Sequence, residues 1–283
     1  MRIGFVRWVG VVALACVALP PAALAQQNPA TMMPEASAAK AKQLLNEMIA
    51  AMGGPAYLNA KESMCSGRRS QFGHNNDLTT YVQFTEYWRF PDNYRIDYGK
   101  KGNIIDSFMG KEGWTVDHDG VSAQPAETVQ EFQERLRKNP NDLLRFRLNE
   151  PGTSFRYGGQ DIIDLKPVDW VELVDRDQRT YRFAVARENH LLARFTVISR
   201  DEQSLELVEE VTSYSNYHAL DGVQTPLQTA RTRNGRRMFQ AFYDSCSYHP
   251  NLAPDFFTRG ALERRFDEVG SSADKKKAAR SRN

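Results

Sequence analysis

The sequence is poor in the residue patterns that carry chemistry. Its five histidines lie far apart, and none stands at a metal-ligand spacing from another histidine, a cysteine or a pair of carboxylates. There is no Gly-x-Ser-x-Gly motif, no phosphate-binding glycine loop and no Cys-x-x-Cys pair. We therefore predict a protein that is not an enzyme and that has no cofactor and no metal site.

One short cluster tests this interpretation. Asp117, His118 and Asp119 are consecutive, and Gly120 follows them. An Asp-Gly pair is typical of a tight turn, so turn geometry explains the cluster without a site. A hydrolase built around Asp117 and His118 stays the weakest of the alternatives.

The body of the chain also lacks net charge and long apolar runs. The sequence has 37 basic and 35 acidic residues, and Arg2 and Arg7 belong to an N-terminal segment discussed next. Without them the two signs balance, which argues against a nucleic-acid partner. No run after residue 25 approaches the roughly 20 apolar residues of a membrane-spanning helix.

Residues 1–25 have the pattern of a secretory signal peptide. Arg2 and Arg7 give the positive start, Trp8–Leu19 is the apolar run, and Ala23-Leu24-Ala25 is a small-residue cleavage pattern before Gln26. We therefore expect an exported, periplasmic protein that begins at Gln26.

Two alternatives to cleavage at this point remain open. The segment could be an uncleaved anchor helix, although its apolar run of about a dozen residues is short for a bilayer. Cys16 could instead be the lipid-anchored residue of a lipoprotein, but Leu14 stands one place too late for a good lipoprotein signal.

Two cysteines, Cys65 and Cys246, remain after the predicted cleavage. An even count in an oxidising compartment permits one disulfide that joins an early strand to a late one. Two separate buried thiols are the alternative.

An amphipathic helix is predicted over Ala36–Met52, after a polar spacer at residues 26–35. Its apolar residues recur at helical spacing, and Gly53-Gly54-Pro55 ends it. From Glu62 onward the apolar residues alternate instead, which is typical of antiparallel strands. The later alternating segments are Thr79–Phe90, Tyr94–Tyr98, Ile104–Gly110, Gly113–His118, Thr153–Gly159, Val168–Val174, Thr180–Ala186, Leu192–Arg200, Ser204–Tyr217, Gln224–Arg233 and Arg236–Tyr248.

The fold class is therefore mainly β with helices, with about eleven antiparallel strands after the helix. Glu127–Phe146 interrupts the strands with two short helices separated at Pro140. We place the folded domain at residues 36–260 and expect residues 261–283 to be a disordered basic tail.

Aromatic residues stand at inward positions of several predicted strands. They pack the core in one interpretation, which is the commonest fate of such residues. In the other, a strongly curved sheet cannot fill its own concave face, so the rings line a cavity for an apolar ligand. The candidate lining residues are Val82, Phe84, Trp88, Trp114, Phe183 and Phe195.

Three short motifs resemble those of the outer-membrane lipoprotein carrier and receptor proteins, the LolA/LolB-like superfamily. They are the hairpin Glu86–Arg95 with its Pro-Asp-Asn-Tyr-Arg ending, the strand entry Gly110–Trp114, and the hairpin Tyr217–Pro226 with its Asp-Gly-Val centre. Each motif is short, but their order covers nearly the whole chain after residue 25. The helical insert, the greater length and the lack of a family ligand motif mark this chain as a divergent member.

The resemblance implies an incomplete antiparallel β-barrel whose apolar concavity is lidded by helices and receives acyl chains. The predicted function is a non-enzymatic periplasmic carrier of a lipid or lipoprotein acyl chain, with Ala36–Met52 as a lid. An envelope membrane protein is a further candidate partner, and we expect a monomer. The alternative is a structural or partner-docking envelope protein whose barrel is filled by its own side chains.

Overall fold

The computed structural model describes residues 29–201 and 204–268. The predicted signal peptide, residues 26–28 of the spacer and residues 269–283 of the predicted tail lie outside these ranges. None of the helices within the described ranges is both long and apolar enough to cross a membrane.

Thirteen antiparallel strands form one sheet in the described part of the chain. The strands are β1 Glu62–Phe72, β2 Leu78–Arg89, β3 Asn93–Tyr98, β4 Ile104–Met109, β5 Glu112–Asp117, β6 Gly120–Ala123, β7 Ser154–Ile163, β8 Lys166–Val174, β9 Thr180–Ala186, β10 Leu192–Arg200, β11 Leu207–Leu220, β12 Val223–Arg233 and β13 Arg236–Ser247.

The strand order makes the sheet an open barrel. It runs β6-β5-β4-β3-β2-β1-β13-β12-β11-β10-β9-β8-β7, so β1 and β13 pair in the middle while β6 and β7 are free edges. The predicted incomplete antiparallel barrel is thus observed, with thirteen strands rather than about eleven. The prediction omitted β6, because the Asp-Gly turn before it was taken as the end of the alternating pattern.

Tight turns connect neighbouring strands in the way their residues predict. Asp221 and Gly222 join β11 to β12 with positive φ angles of 49° and 80°. A two-residue hairpin loop of this kind needs positive φ at both positions, which Asp tolerates and Gly adopts without strain.

Five helices accompany the sheet in the described ranges. They are α1 Pro34–Ala51, α2 Pro55–Asn59, α3 Ala126–Arg137, α4 Pro140–Asp142, which continues as a π-helical turn over Leu143–Arg147, and α5 over residues 259–268. The first agrees with the predicted Ala36–Met52 to within two residues, and α3 and α4 fall within the predicted two-helix insert.

Both α1 and α3 pack on the same face of the sheet, which we call the inner face. Over β7 and β8, α1 contributes the buried side chains Ala41, Leu44, Leu45 and Met48 to the largest hydrophobic cluster, which extends to β9 and β10. Over β2–β4, α3 inserts Phe132, whose ring stacks on Phe108 at 4.3 Å between ring centroids. The two helices therefore cover opposite halves of the inner face.

The chain after β13 crosses the other side of the sheet, the outer face, over β2–β5. We call residues 250–268 the C-terminal strap. Arg89 donates hydrogen bonds to the carbonyl groups of Leu252, Ala253 and Pro254 at 2.9–3.1 Å. Ser107 donates to the carbonyl of Phe257 at 3.0 Å.

The strap corrects the predicted start of the disordered tail at residue 261. Residues 261–268 continue α5, and Leu262 is fully buried against Ile105, Trp114 and Val116. The prediction failed because the segment is rich in charge, and its few apolar side chains find their partners only in strands distant in sequence.

Cys65 of β1 and Cys246 of β13 are joined by a disulfide. The two residues are directly paired across the central strands of the sheet. The bond therefore links the strand that comes first in the sequence to the strand that comes last.

Candidate functional site

The six predicted lining residues do not come together at one site. Phe84 and Trp88 lie on the inner face beneath α3, in a cluster with Tyr94, Phe108 and Phe132. The Trp88 ring lies 4.4 Å from that of Tyr94, and the Phe84 ring lies 5.6 Å from that of Tyr243. Val82 is half-buried further along β2.

Phe183 and Phe195 belong to the separate cluster beneath α1. Their ring centroids are 4.8 Å apart, and both side chains are buried. The side chains of α1 fill the space above them, so this half of the inner face is packed rather than open. The α1 helix is thus part of the core, in contrast to the lid expected from its amphipathic stripe.

Trp114 lies on the outer face, opposite Phe84 and Trp88. It packs with Ile105, Val116 and Leu262 beneath the C-terminal strap. Alternation along β5 correctly separates Trp114 from Thr115, but the strap, which decides what covers each face, is distant in sequence.

A cavity of about 930 Å³ lies on the inner face between α3 and the sheet. This volume is within the range of about 300–1,000 Å³ typical of small-molecule sites. None of the six predicted lining residues borders it. Its apolar surface comes from Tyr94, Ile96, Tyr98, Phe108, Phe132 and Met238.

Polar contacts anchor the α3 end of this cavity. Arg147 donates to the carbonyl of Arg137 at 3.0 Å and to the hydroxyl of Tyr181 at 3.3 Å. Tyr181 in turn lies 2.9 Å from Oδ2 of Asp175 in the β8–β9 turn. The C-terminal end of α3 is therefore tied to the half of the sheet that α1 covers.

Six charged residues around the cavity form three ion pairs. The ion pairs are Lys138–Glu210 at 3.0 Å, Arg179–Glu134 at 2.9 Å and Arg233–Asp201 at 3.1 Å. Burial alone would raise the pKa of Glu210, but the Lys138 ammonium and its hydrogen bond hold this pKa below its usual value. The first two pairs connect α3 and the residue after it to the β8–β9 turn and to β11, and the third connects the end of β12 to the residue after β10.

A half-buried carboxyl group, Glu86, lies on the inner face of β2. Tyr94 donates to its Oε2 at 3.3 Å. Burial raises the pKa of Glu86, while hydrogen bonds from Tyr243 and Tyr94 and the charge of Arg69 act in the opposite direction. Burial and Glu86 together raise the pKa of Tyr94 well above its usual value, so this hydroxyl stays a donor.

The sequence analysis missed the charged and tyrosine residues of this cavity. Arg69 is an example, because Arg68 precedes it on β1 and alternation places one of the two inside without saying which. The register with β13, which pairs Arg69 with Ala241 and Arg68 with Phe242, decides the question. The signal available in the sequence was a charged residue at a strand position that could face inward, which is typical of a polar site rather than of a packed core.

The Asp117, His118 and Asp119 side chains lie within 4.8 Å of one another at the β5–β6 turn. His118 and Asp119 are exposed, and Asp117 accepts a hydrogen bond from the backbone N–H of Asp119 at 2.8 Å. The cluster is thus a turn on the surface, away from the cavity lining.

Comparison with solved structures identifies the fold. A DUF1329 family protein from Desulfovibrio piger matches with a TM-score of 0.56 and 14% identity, over 80% of this chain and 99% of the other. A LolA superfamily protein from Nitrosomonas europaea matches with a TM-score of 0.51 and 12% identity, over 78% and 99%. The chain has a LolA-like fold.

A further solved structure carries a functional description. This domain from Vibrio parahaemolyticus, described as that of an outer membrane lipoprotein-sorting protein, matches with a TM-score of 0.54 and 11% identity, over 80% of this chain and 99% of the other. No protein-family model and no curated protein sequence matches the chain. The resemblance inferred from the motifs is therefore confirmed as a LolA-like fold of divergent sequence.

Proposed function

We propose that this protein is a non-enzymatic carrier that binds the acyl chain of a lipid or lipoprotein in the cavity beneath α3. The observation that carries this proposal is the cavity itself, which combines an aromatic and aliphatic patch with a larger polar and charged lining on the inner face of a LolA-like fold. Burial of acyl surface supplies the binding energy, at about 25 cal/mol per Å². The lipoprotein-sorting description of a structural neighbour supports the same class of ligand.

In this proposal α3 rather than α1 is the lid. It covers the cavity, and its contact with the inner face consists mainly of Phe132 and Leu136. Charged and polar side chains make up most of the rest of the helix. A shift of α3 would expose Phe108 and Tyr94 to an incoming chain, whereas a shift of α1 would open the main core.

A structural or partner-docking role is the second candidate. The packed half of the inner face beneath α1 supports it, because there the barrel is filled by its own side chains. In that case the cavity beneath α3 would hold only water.

Native mass spectrometry of protein purified gently from a periplasmic fraction tests the two candidates. A stoichiometric acyl-bearing adduct, identified after lipid extraction, is the expected result. An apo mass with no uptake of added phospholipid or lipopeptide would favour the docking role. The same spectrum reports the N-terminus, and a mass beginning at Gln26 is expected if the protein is exported to the periplasm by cleavage of residues 1–25.

The variant Thr128→Trp tests whether the ligand binds in the cavity beneath α3. Thr128 is half-buried and faces the cavity from α3, so an indole there should occupy the space of the acyl chain and remove the adduct. Thr80→Trp is the matched control, because Thr80 is exposed on β2 outside the cavity lining. An adduct that persists in Thr128→Trp at the wild-type level would exclude this cavity as the site.

A further inference from the structure

Two arginines on the inner face border the cavity without a carboxylate partner. Arg69 of β1 and Arg231 of β12 lie on either side of Phe239 of β13, with guanidinium carbons 4.3 and 5.4 Å from its ring centroid. Within the described ranges, neither forms an ion pair at 4 Å or less. Two positive charges therefore face one region of the cavity.

The hydrogen bonding of these arginines is also incomplete. Arg69 is half-buried, and its Nε–H is inaccessible to solvent and has no acceptor among the described residues. Arg231 donates from Nε to Oγ1 of Thr212 at 3.2 Å, which leaves its terminal N–H groups free of protein acceptors in the described ranges. The terminal N–H groups of both arginines are not among the solvent-inaccessible donors, so these are the groups that a ligand in the cavity can reach.

The cavity carboxylate Glu210 is close enough for the charge of Arg231 to help lower its pKa, although its ion pair is with Lys138. Lys138, Arg179 and Arg233 are paired with acids, as described above. The carboxylates of Glu127 and Glu131 belong to the exposed side of α3, and Asp106 accepts hydrogen bonds from Thr115 and Gln124. Positive charge is thus in excess on the sheet side of the cavity.

Glu86 on the neighbouring strand β2 interacts electrostatically with Arg69, whose charge opposes the rise that burial causes in the Glu86 pKa. Tyr94 donates to it, and it forms no ion pair with Arg69 within 4 Å. Arg135 adds positive charge from α3, where its guanidinium carbon lies 6.0 Å from the centroid of the Tyr94 ring. Among the described residues, none accepts a hydrogen bond from Nε of Arg69.

We propose that the ligand carries an anionic head group, a phosphate or a carboxylate, which Arg69 and Arg231 bind while its acyl chain lies on the apolar cavity surface. This inference rests on the proposed acyl-carrier function. Planar guanidinium groups suit the paired oxygens of these anions, and the restricted dielectric around a half-buried arginine strengthens the contact. The carrier would then select anionic amphiphiles over neutral ones of equal chain length.

Calorimetric titration of the purified exported protein with three probes tests the inference. The probes are dodecyl phosphate, dodecyl maltoside and inorganic phosphate. We expect the wild-type protein to bind dodecyl phosphate about tenfold more tightly than dodecyl maltoside, as one or two charge-assisted hydrogen bonds would give. Arg69→Met and, separately, Arg231→Met should each weaken the binding of dodecyl phosphate more than that of dodecyl maltoside and so reduce this preference.

Arg68→Met is the matched control. Arg68 neighbours Arg69 on β1 but lies on the outer face, 3.6 Å from Asp244 and half exposed. Its replacement should change neither affinity. Methionine keeps the length and apolar packing of the arginine stem, and thermal unfolding of each variant checks that the fold is retained.

The outcomes separate this inference from the proposed function. Equal affinities for the two amphiphiles, or a preference retained in full in both cavity variants, would contradict the proposal of an anionic head group. The proposed acyl-carrier function would not be affected by either result. Failure of both amphiphiles to bind would overturn both. Inorganic phosphate bound as tightly as dodecyl phosphate, and lost in Arg69→Met, would support the arginine site but assign it to a free anion.

Discussion

Buried charge in the helical insert is the main energetic feature at the scale of single residues. Asp142 of α4 is largely buried, with Oδ2 at 3.4 Å from Nε of Arg147. Burial raises the pKa of Asp142 to about 6, even though Arg147 acts in the opposite direction. The folded state therefore binds a proton that the unfolded chain releases at a lower pH.

This pKa makes the contribution of Asp142 to stability depend on pH. Because the folded-state pKa lies above the unfolded value, this contribution is fully present below about pH 4 and is lost as the pH rises through about 6. Asp142→Asn removes the dependence. From pH 4 to pH 7.5, the unfolding free energy of the variant should rise relative to wild type by about 2.5 kcal/mol, which is most of the effect of a shift of about two pKa units.

Urea unfolding at the two pH values measures this difference. Asp164→Asn is the control, because Asp164 is an exposed carboxyl group in the β7–β8 turn. If the difference in unfolding free energy between wild type and Asp142→Asn is the same at both pH values, Asp142 does not have the raised pKa.

At the scale of elements, the C-terminal strap stabilises strands β2–β5 from the outer face. Three carbonyls of the strap accept from Arg89, and Arg95 stacks on Phe256 at 4.3 Å from its ring centroid. The buried pair of Arg95 with Asp97, at 2.6 Å, lies directly below this contact. Without the strap these polar groups and Trp114 would be exposed to water.

Leu262→Ala tests the contribution of α5. Leu262 is fully buried against β4 and β5, so the variant leaves a cavity and should lower the unfolding free energy by about 3 kcal/mol. Glu263→Ala removes only an exposed pair with Arg259 and should cost less than about 0.5 kcal/mol. Equal unfolding midpoints in urea for the two variants would show that α5 is not packed on the sheet.

The elements themselves could be predicted far better than their contacts. Helical spacing placed α1 to within two residues, and alternation gave ranges for eleven strands and the start of β1 at Glu62, because both patterns are local. The short strand β6 and the helix α5 were missed, since Val121 and Leu262 become apolar partners only through Trp114 and Val116. Local sequence carries no record of such distant contacts.

At the scale of the whole molecule, the disulfide closes a loop that contains nearly the whole sheet. Cys65 and Cys246 are separated by 181 residues and join the two central strands. In the chain-entropy account, closing so long a loop stabilises the folded state by about 4–5 kcal/mol, through the restricted unfolded chain.

Reduction should therefore lower the unfolding free energy by about 4–5 kcal/mol, measured by urea unfolding with and without dithiothreitol. The double variant Cys65→Ser with Cys246→Ser should unfold like the reduced protein and show no response to the reductant. Two results together would contradict the disulfide. The urea midpoint of the wild-type protein would not change with reductant, and the denatured protein would show two free thiols before reduction.

The sequence by itself determined the fold class, the boundaries of most elements and the order of motifs that resembles the LolA-like group. These features depend on periodicity and turn chemistry, which act over a few residues. Only the tertiary structure decided that Trp114 faces outward, that Phe183 lies beneath a packed α1, and that Arg69 borders the cavity. Alternation divides a strand into two faces, but pairing with distant strands and helices decides which face surrounds a cavity.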